Sequence, residues 1–172
     1  AVSVLDYKEQ GFLPEALRNY LVRLGWSSGD QEIFTLDEMI EKFDIVNVNK
    51  AGSSFDVNKL RWLNQHYIKS ADSARLTMML GERLQNMGVD TENGPSLNAV
   101  VYALRERAET LEELAEKSVY FYEEFKTYDE SAAKKHLRAV AAPMLTDLLG
   151  RFKEIGDWNA KSIHEAITGV AE

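Results

Sequence analysis

The sequence predicts a mainly α-helical protein, with a small mixed α/β domain over residues 1–70 and an all-α domain over residues 71–172. Three observations lead there. Apolar residues at helical spacing, set off by capping residues, recur from Leu13 to the end of the chain. Strand-like patterns occur only ahead of Ser70, in VSVLDY (2–7) and in the β-branched, Asn- and Gly-containing IVNVNKAGSSF (45–55). Beyond Ser70 strand signals cease, and this change of character sets the boundary; with no repeat and no low-complexity linker, the two parts are expected to pack together.

In chain order, the alternation in 2–7 suits a short strand, and Gly11 punctuates it. Pro14 suits the first turn of a helix over about 13–24, whose Leu13, Leu17, Tyr20, Leu21 and Leu24 share a face. Gly25 stands where a left-handed cap is wanted. Thr35 and Glu38 form a capping-box pattern for a helix over 36–43. Residues 45–55 suit a strand or an extended loop. Asp56 caps the next helix, in which Leu60, Leu63, Tyr67 and Ile68 line one side while Lys59, Trp62, His66 and Lys69 point elsewhere. Further helices are expected over 72–87, stopped by Gly88, over 95–107 from Pro95, and over 111–124 from a Thr110/Glu113 capping box. A helical stretch over 130–153 should kink or split at Pro143, and a last helix covers 159–171.

Composition limits the chemistry. There is no cysteine, hence no disulfide framework, thiolate metal site or cysteine nucleophile. No stretch approaches the roughly eighteen apolar residues of a membrane span, and no basic region followed by an apolar run opens the chain. A cytoplasmic protein with no membrane partner is expected. The net charge of -8 argues against a nucleic-acid partner if taken alone. The average hides a pattern, however. Residues 1–44 carry four basic and nine acidic side chains, whereas 45–75 carry five basic (Lys50, Lys59, Arg61, Lys69, Arg75) and two acidic (Asp56, Asp72). Beyond residue 75, positive charge concentrates only at Arg105 with Arg107 and in the run Lys134, Lys135, His136, Arg138.

The strings GFLPEALRNYLVRLGWSSGDQEIFTLDEMIEKFD (11–44) and FDVNKLRWLNQHYIK (55–69) resemble the region that follows the catalytic core of bacterial-type glutamyl-tRNA synthetases, class I enzymes. ALRERAETLEELAEKSVYFY (103–122) continues the resemblance more loosely. In that family a lysine-rich active-site loop immediately precedes a segment like AVSVLDY. The resemblance implies a stem-contact domain over 1–70 and the first part of an α-helical anticodon-binding domain over 71–172. It also implies tRNA(Glu) as the partner, with no DNA, and a monomer. Family members continue beyond a segment like DWNAKSIHEAITGVAE into a second helical subdomain. No Rossmann-type unit, HIGH-like string or KMSKS-like string is present, so no catalytic residue is expected in this chain. ATP and magnesium belong to the parent enzyme's catalytic domain, and this segment should hold no cofactor and be inactive alone.

Arg107, in LRERAETL, matches the family position of an arginine that reads the third anticodon base, a cytosine. A guanidinium suits the task, because its planar donors satisfy a base's carbonyl oxygen and ring nitrogen and reject an edge that presents a donor. Arg105 lies on another helix face and is a candidate for a phosphate within the same anticodon-binding set. Lys59, Arg61 and Lys69 are candidates to track stem phosphates, with Trp62 covering a sugar or base. Asn64 and Ser53 are lesser candidates. The KKHLR run (134–138) reads as an ordinary solvated face. His164 and Glu165 begin an HExxH-like string, but Thr168 replaces the second histidine and removes the zinc pair. His66, His136 and His164 are therefore taken as structural. The competing class is a non-enzymatic helical module that binds another protein through an apolar groove, distinguished by binding that barely changes with salt.

Overall fold

Capping chemistry places most of the ten α-helices found among the described residues, 3–50 and 52–171 of this computed structural model. The chain forms two compact units, Ala1–Glu124 and Phe125–Glu172. Residue 70, where the character of the sequence changes, lies inside the first unit and inside one continuous core. That core joins Leu13, Ala16 and Ile68 from before residue 70 to Leu76, Leu80, Val101 and Leu114 from after it.

The first difference from expectation comes at once. VSVLDY is not a strand: helix α1 spans Val4–Glu9, and Val2 lies outside the described residues. The Ser3 side chain accepts from the Leu5 amide, and the Asp6 carboxylate accepts from the Ser3 amide at 2.8 Å. Six residues cannot separate a two-residue period from a helical one, so the capping box decides. Val4 and Leu5 consequently face solvent, about two-thirds exposed.

Gly11 holds a left-handed φ of 86°, and its carbonyl accepts from the Leu111 amide at 2.9 Å. A Cβ there would meet the Glu112 amide nitrogen at 2.5 Å, so only glycine permits this approach to the helix that starts at Leu111. Helix α2 (Pro14–Arg23) follows, then α3 (Leu36–Lys42) with its Thr35/Glu38 capping box in place. Gly25 does not take the left-handed cap; the described glycines with positive φ are Gly11, Gly29 and Gly88. Its carbonyl instead accepts from the Asn49 amide at 2.6 Å, and Val48 packs against the glycine. Segment 45–55 forms no strand. A 3-10 turn (Ile45–Asn47), capped by Asp44, opens an irregular course, and Ala51 lies outside the described residues. No strand occurs among the described residues, so the small α/β domain is helical.

Helix α4 (Val57–Ser70) starts at Asp56, whose carboxylate accepts from the Asn58 and Lys59 amides. It packs against α2 through Leu60 and Leu63, which cluster with Phe12, Leu17 and Tyr20. Helix α5 (Ser73–Asn86) ends at Gly88, and α6 (Leu97–Leu104) begins after Ser96 and continues into a 3-10 turn (Arg105–Arg107). Helix α7 (Leu111–Glu116) is shorter than its pattern suggested. Buried Ser118 turns its hydroxyl back to the Leu114 carbonyl at 2.6 Å, beyond which a 3-10 turn (Val119–Phe121) takes over.

In the second unit the expected break is present. Helix α8 (Glu130–His136) and a 3-10 turn (Ala139–Ala141) precede α9 (Ala142–Glu154), with Pro143 in the first turn of α9. Proline needs no amide donor at that position, so it opens a helix there instead of kinking one. Helix α10 (Ala160–Ala171) packs against α9.

Candidate functional site

All six expected nucleic-acid residues sit on α4 or on the 3-10 turn that it contacts. The buried side of α4 (Leu60, Leu63, Asn64, Ile68) fixes its rotation. That leaves Trp62, half exposed, with His66 and Lys69 facing outward. Segment 105–109 runs beside α4 in the opposite direction. Arg105 meets its C-terminal end, Lys69 lies 3.4 Å from Glu106, and Arg61 reaches Glu109 at 2.6 Å. Arg107 is thereby held beside the helix that carries the other candidates.

Buried Asn64 is the joint between these pieces. Its Oδ1 accepts from the Leu13 amide at 2.7 Å, and its Nδ2 donates to the carbonyls of Glu109 at 2.6 Å and Gly11 at 3.3 Å. It is therefore a structural amide and not an RNA contact. Buried Asn19 plays a parallel part, donating to the Glu32 carbonyl and accepting from the Phe34 amide, each at 2.8 Å. The Tyr67 hydroxyl lies between Asn19 and the Phe34 carbonyl, and burial pushes its pKa up. Ser53 is exposed, and its hydroxyl donates to the Leu24 carbonyl.

The cations do not form an open positive field. Lys59 pairs with Glu32 at 2.9 Å, Arg61 with Glu109 and Glu113, Lys69 with Glu106, and Arg75 with Glu15 at 2.5 Å. Four of the five basic residues of 45–75 thus have carboxylate partners, all of them brought in from outside the segment. Lys59, and after it Arg23, hold the Glu32 carboxyl below its ordinary range against the opposing effect of burial. Arg61 is held more firmly protonated, chiefly by its hydrogen bond to Glu109. Sequence reasoning missed these acids. Glu113 was visible only as a capping residue, yet it also accepts from the Glu109 amide at 3.1 Å.

Arg105 and Arg107 prove unlike. Arg105 closes the end of α4, donating to the carbonyls of Ile68, Lys69 and Ala71 at 2.6–2.8 Å and to the Ser73 hydroxyl at 3.0 Å. A helix C-terminus presents unsatisfied carbonyls and partial negative charge, which a guanidinium answers well. Those bonds engage both terminal nitrogens, while the buried Nε has no partner, so the guanidinium is committed to the end of α4 and is not held out toward a phosphate. Arg107 is exposed, and its guanidinium makes no hydrogen bond or ion pair among the described residues, while its carbonyl accepts from Lys117 Nζ at 2.6 Å. A large groove along α1, α2 and α5, lined by Tyr7, Phe12, Met79 and Arg83, contains none of the six candidates.

Comparison with known proteins meets this geometry. Residues 62–172 match the family described as anticodon binding domain, and residues 1–62 match the class I tRNA synthetase catalytic domain of the E and Q type. A crystal structure of a glutamate tRNA ligase from Elizabethkingia meningosepticum, in complex with its amino acid, shares 30% identity with a TM-score of 0.82. The match covers 96% of this chain and 33% of that one. The glutamate-tRNA synthetase of Elizabethkingia anophelis is similar at 30% identity and a TM-score of 0.79, over 96% of this chain and 32% of that one. The chain spans about a third of the length of these relatives. It belongs to the anticodon binding domain family and has the fold of the corresponding third of bacterial-type glutamyl-tRNA synthetases.

Proposed function

We propose that this chain binds tRNA(Glu) through its stem and anticodon, in the service of the ATP-dependent glutamylation that the parent enzyme's catalytic site performs. Family membership supplies tRNA as the class of partner and disfavours the protein-interaction module. Residues 1–70 act as the stem-contact part and 71–172 as the beginning of the anticodon-binding part, in a cytoplasmic monomer. The chain by itself, without HIGH-like or KMSKS-like strings, carries out no glutamylation.

The observation that carries the reading is the contrast between the two arginines of the 105–107 turn. Arg105 is consumed by the end of α4, whereas Arg107 is presented free and exposed beside that helix. A free planar guanidinium on a braced turn suits the edge of an unstacked cytosine in a loop. Trp62, half exposed on α4, offers a stacking face, with Lys59, Arg61 and Lys69 on the same helix for the backbone. The acids paired to those cations act as place-holders that phosphates displace.

Binding titrations with glutamate tRNA, a tRNA of another specificity, and a glutamate tRNA changed at its third anticodon base test the reading. Wild-type chain should prefer the first. Arg107→Ala should lose that preference, with about 1–3 kcal/mol of discrimination removed. Equal binding of all three RNAs by the wild type, or undiminished preference in Arg107→Ala, refutes base reading.

A further inference from the structure

The run Lys134, Lys135, His136, Arg138 reads in the sequence as a solvated face, and the structure gives reason to revise this. Acids outnumber bases in the chain, 28 to 20, so cations are not short of partners. On α4 the candidate cations are paired accordingly. Lys134, Lys135 and Arg138 differ: all three are exposed, and none makes an ion pair or side-chain hydrogen bond among the described residues. No acidic residue lies between Glu130 and Asp147. The one nearby carboxylate with a structural task, Asp129, is occupied as the α8 cap, accepting from the Ala132 amide at 2.6 Å.

Helix electrostatics explains only part of this cluster. Lys134 and Lys135 stand in the last turn of α8, where positive charge stabilises the helix end. Arg138 lies beyond the cap residue Leu137, outside the helix. Three like charges within five residues, left without counter-charge on an acidic chain, form a site whose natural complement is an external polyanion.

We propose that Lys134, Lys135 and Arg138 form a second RNA-contact surface, on the Phe125–Glu172 unit, that takes backbone phosphates without reading bases. The proposal rests on the tRNA-binding reading and extends it to a unit in which that reading named no residue. The surface adds affinity common to all tRNAs, while Arg107 supplies the preference among them.

The test uses the full chain and compares wild type, the triple variant Lys134→Ala/Lys135→Ala/Arg138→Ala, the charge-preserving triple Lys134→Arg/Lys135→Arg/Arg138→Lys, and Arg107→Ala. Each is titrated with cognate and non-cognate tRNA between 50 and 200 mM salt. Loss of three phosphate contacts flattens the logarithmic salt slope by about 2–3, so the wild-type advantage over the alanine triple should shrink about 20- to 40-fold across that range. The alanine triple should weaken both tRNAs alike and leave their ratio intact, and the charge-preserving triple should bind as wild type does. Circular dichroism should show the alanine triple folded, since no side-chain partner is lost. An unchanged slope and affinity in a folded alanine triple overturns the surface while leaving the Arg107 reading intact. Equal loss in the charge-preserving triple overturns it too, by showing that charge is not the cause. Absence of any tRNA binding by the wild type defeats both readings. Capture of a polyglutamate peptide by wild type but not by the alanine triple, with tRNA binding unaffected, replaces RNA with an acidic protein partner.

Discussion

Replacing Asn64 by alanine removes the joint that holds α4 to the loop after α1 and to the segment beside Arg107. The side chain is fully buried and makes three hydrogen bonds, at 2.7, 2.6 and 3.3 Å. Gly11 keeps a partner when Asn64 is gone, because its carbonyl also accepts from the Leu111 amide. The Leu13 amide and the Glu109 carbonyl lose the partner that Asn64 supplies. An unsatisfied buried polar group costs about 1–3 kcal/mol, so two together cost roughly 2–6 kcal/mol. For a chain of this size that corresponds to a fall of roughly 5–20 °C in the unfolding temperature. Asn64→Leu, which fills the space without restoring the bonds, should recover little of this loss. Calorimetry gives the transition, and hydrogen exchange localises the loss to the amides of the Ala1–Glu124 unit. Stability within 1 kcal/mol of wild type in both variants would refute the assignment of Asn64 as a structural joint. Measured well below the transition, tRNA binding should persist, because Asn64 itself does not reach the surface.

Two further outcomes follow from the paired charges. Glu109→Gln with Glu113→Gln releases Arg61 from both carboxylates, and tRNA binding should tighten several-fold with a steeper salt dependence; unchanged binding would place Arg61 outside the RNA surface. Acid should destabilise the Ala1–Glu124 unit. Burial pushes Glu15 up, but its hydrogen bonds and the charge of Arg75 outweigh that, so Glu15, like Glu32, lies below the ordinary value of 4.5. A carboxylate with a depressed folded pKa contributes stability that is complete above its unfolded pKa and is lost as pH falls through the folded one. Denaturation midpoints should therefore hold steady above about pH 5 and drop below 4.5, and Glu15→Gln should reduce the drop. A midpoint indifferent to pH in that window removes these pairs from the stability of the unit.

The elements that depend on neighbours three or four residues away were open to the sequence. Thr35 with Glu38, Asp56 and Gly88 each mark a helix end by local hydrogen bonding or backbone freedom, and each is found where the pattern placed it. Where a local signal was short, it misled. The alternation of VSVLDY was overruled by one capping box, and the β-branched run after Asp44 found no second strand to pair with. The identity of the exposed α4 residues was likewise legible, because the apolar period fixes which side of the helix is buried.

What the sequence could not supply were interactions across long separations. The net positive charge of 45–75 is a local count, but Arg61 meets Glu109 from 48 residues away and Arg105 reaches the Ile68 carbonyl from 37. Those contacts convert an apparent basic patch into paired charges, and they make one arginine of the 105–107 turn a helix cap while leaving the other free. Asn64 moved from candidate ligand to structural joint for the same reason, since only the folded chain brings residues 11, 13 and 109 together around it. Capping and apolar spacing thus determined most of the helices, and the strings over 11–44 and 55–69 carried the family resemblance. Tertiary packing decided which of the charged side chains remain available to an RNA, because availability depends on partners that local sequence does not contain.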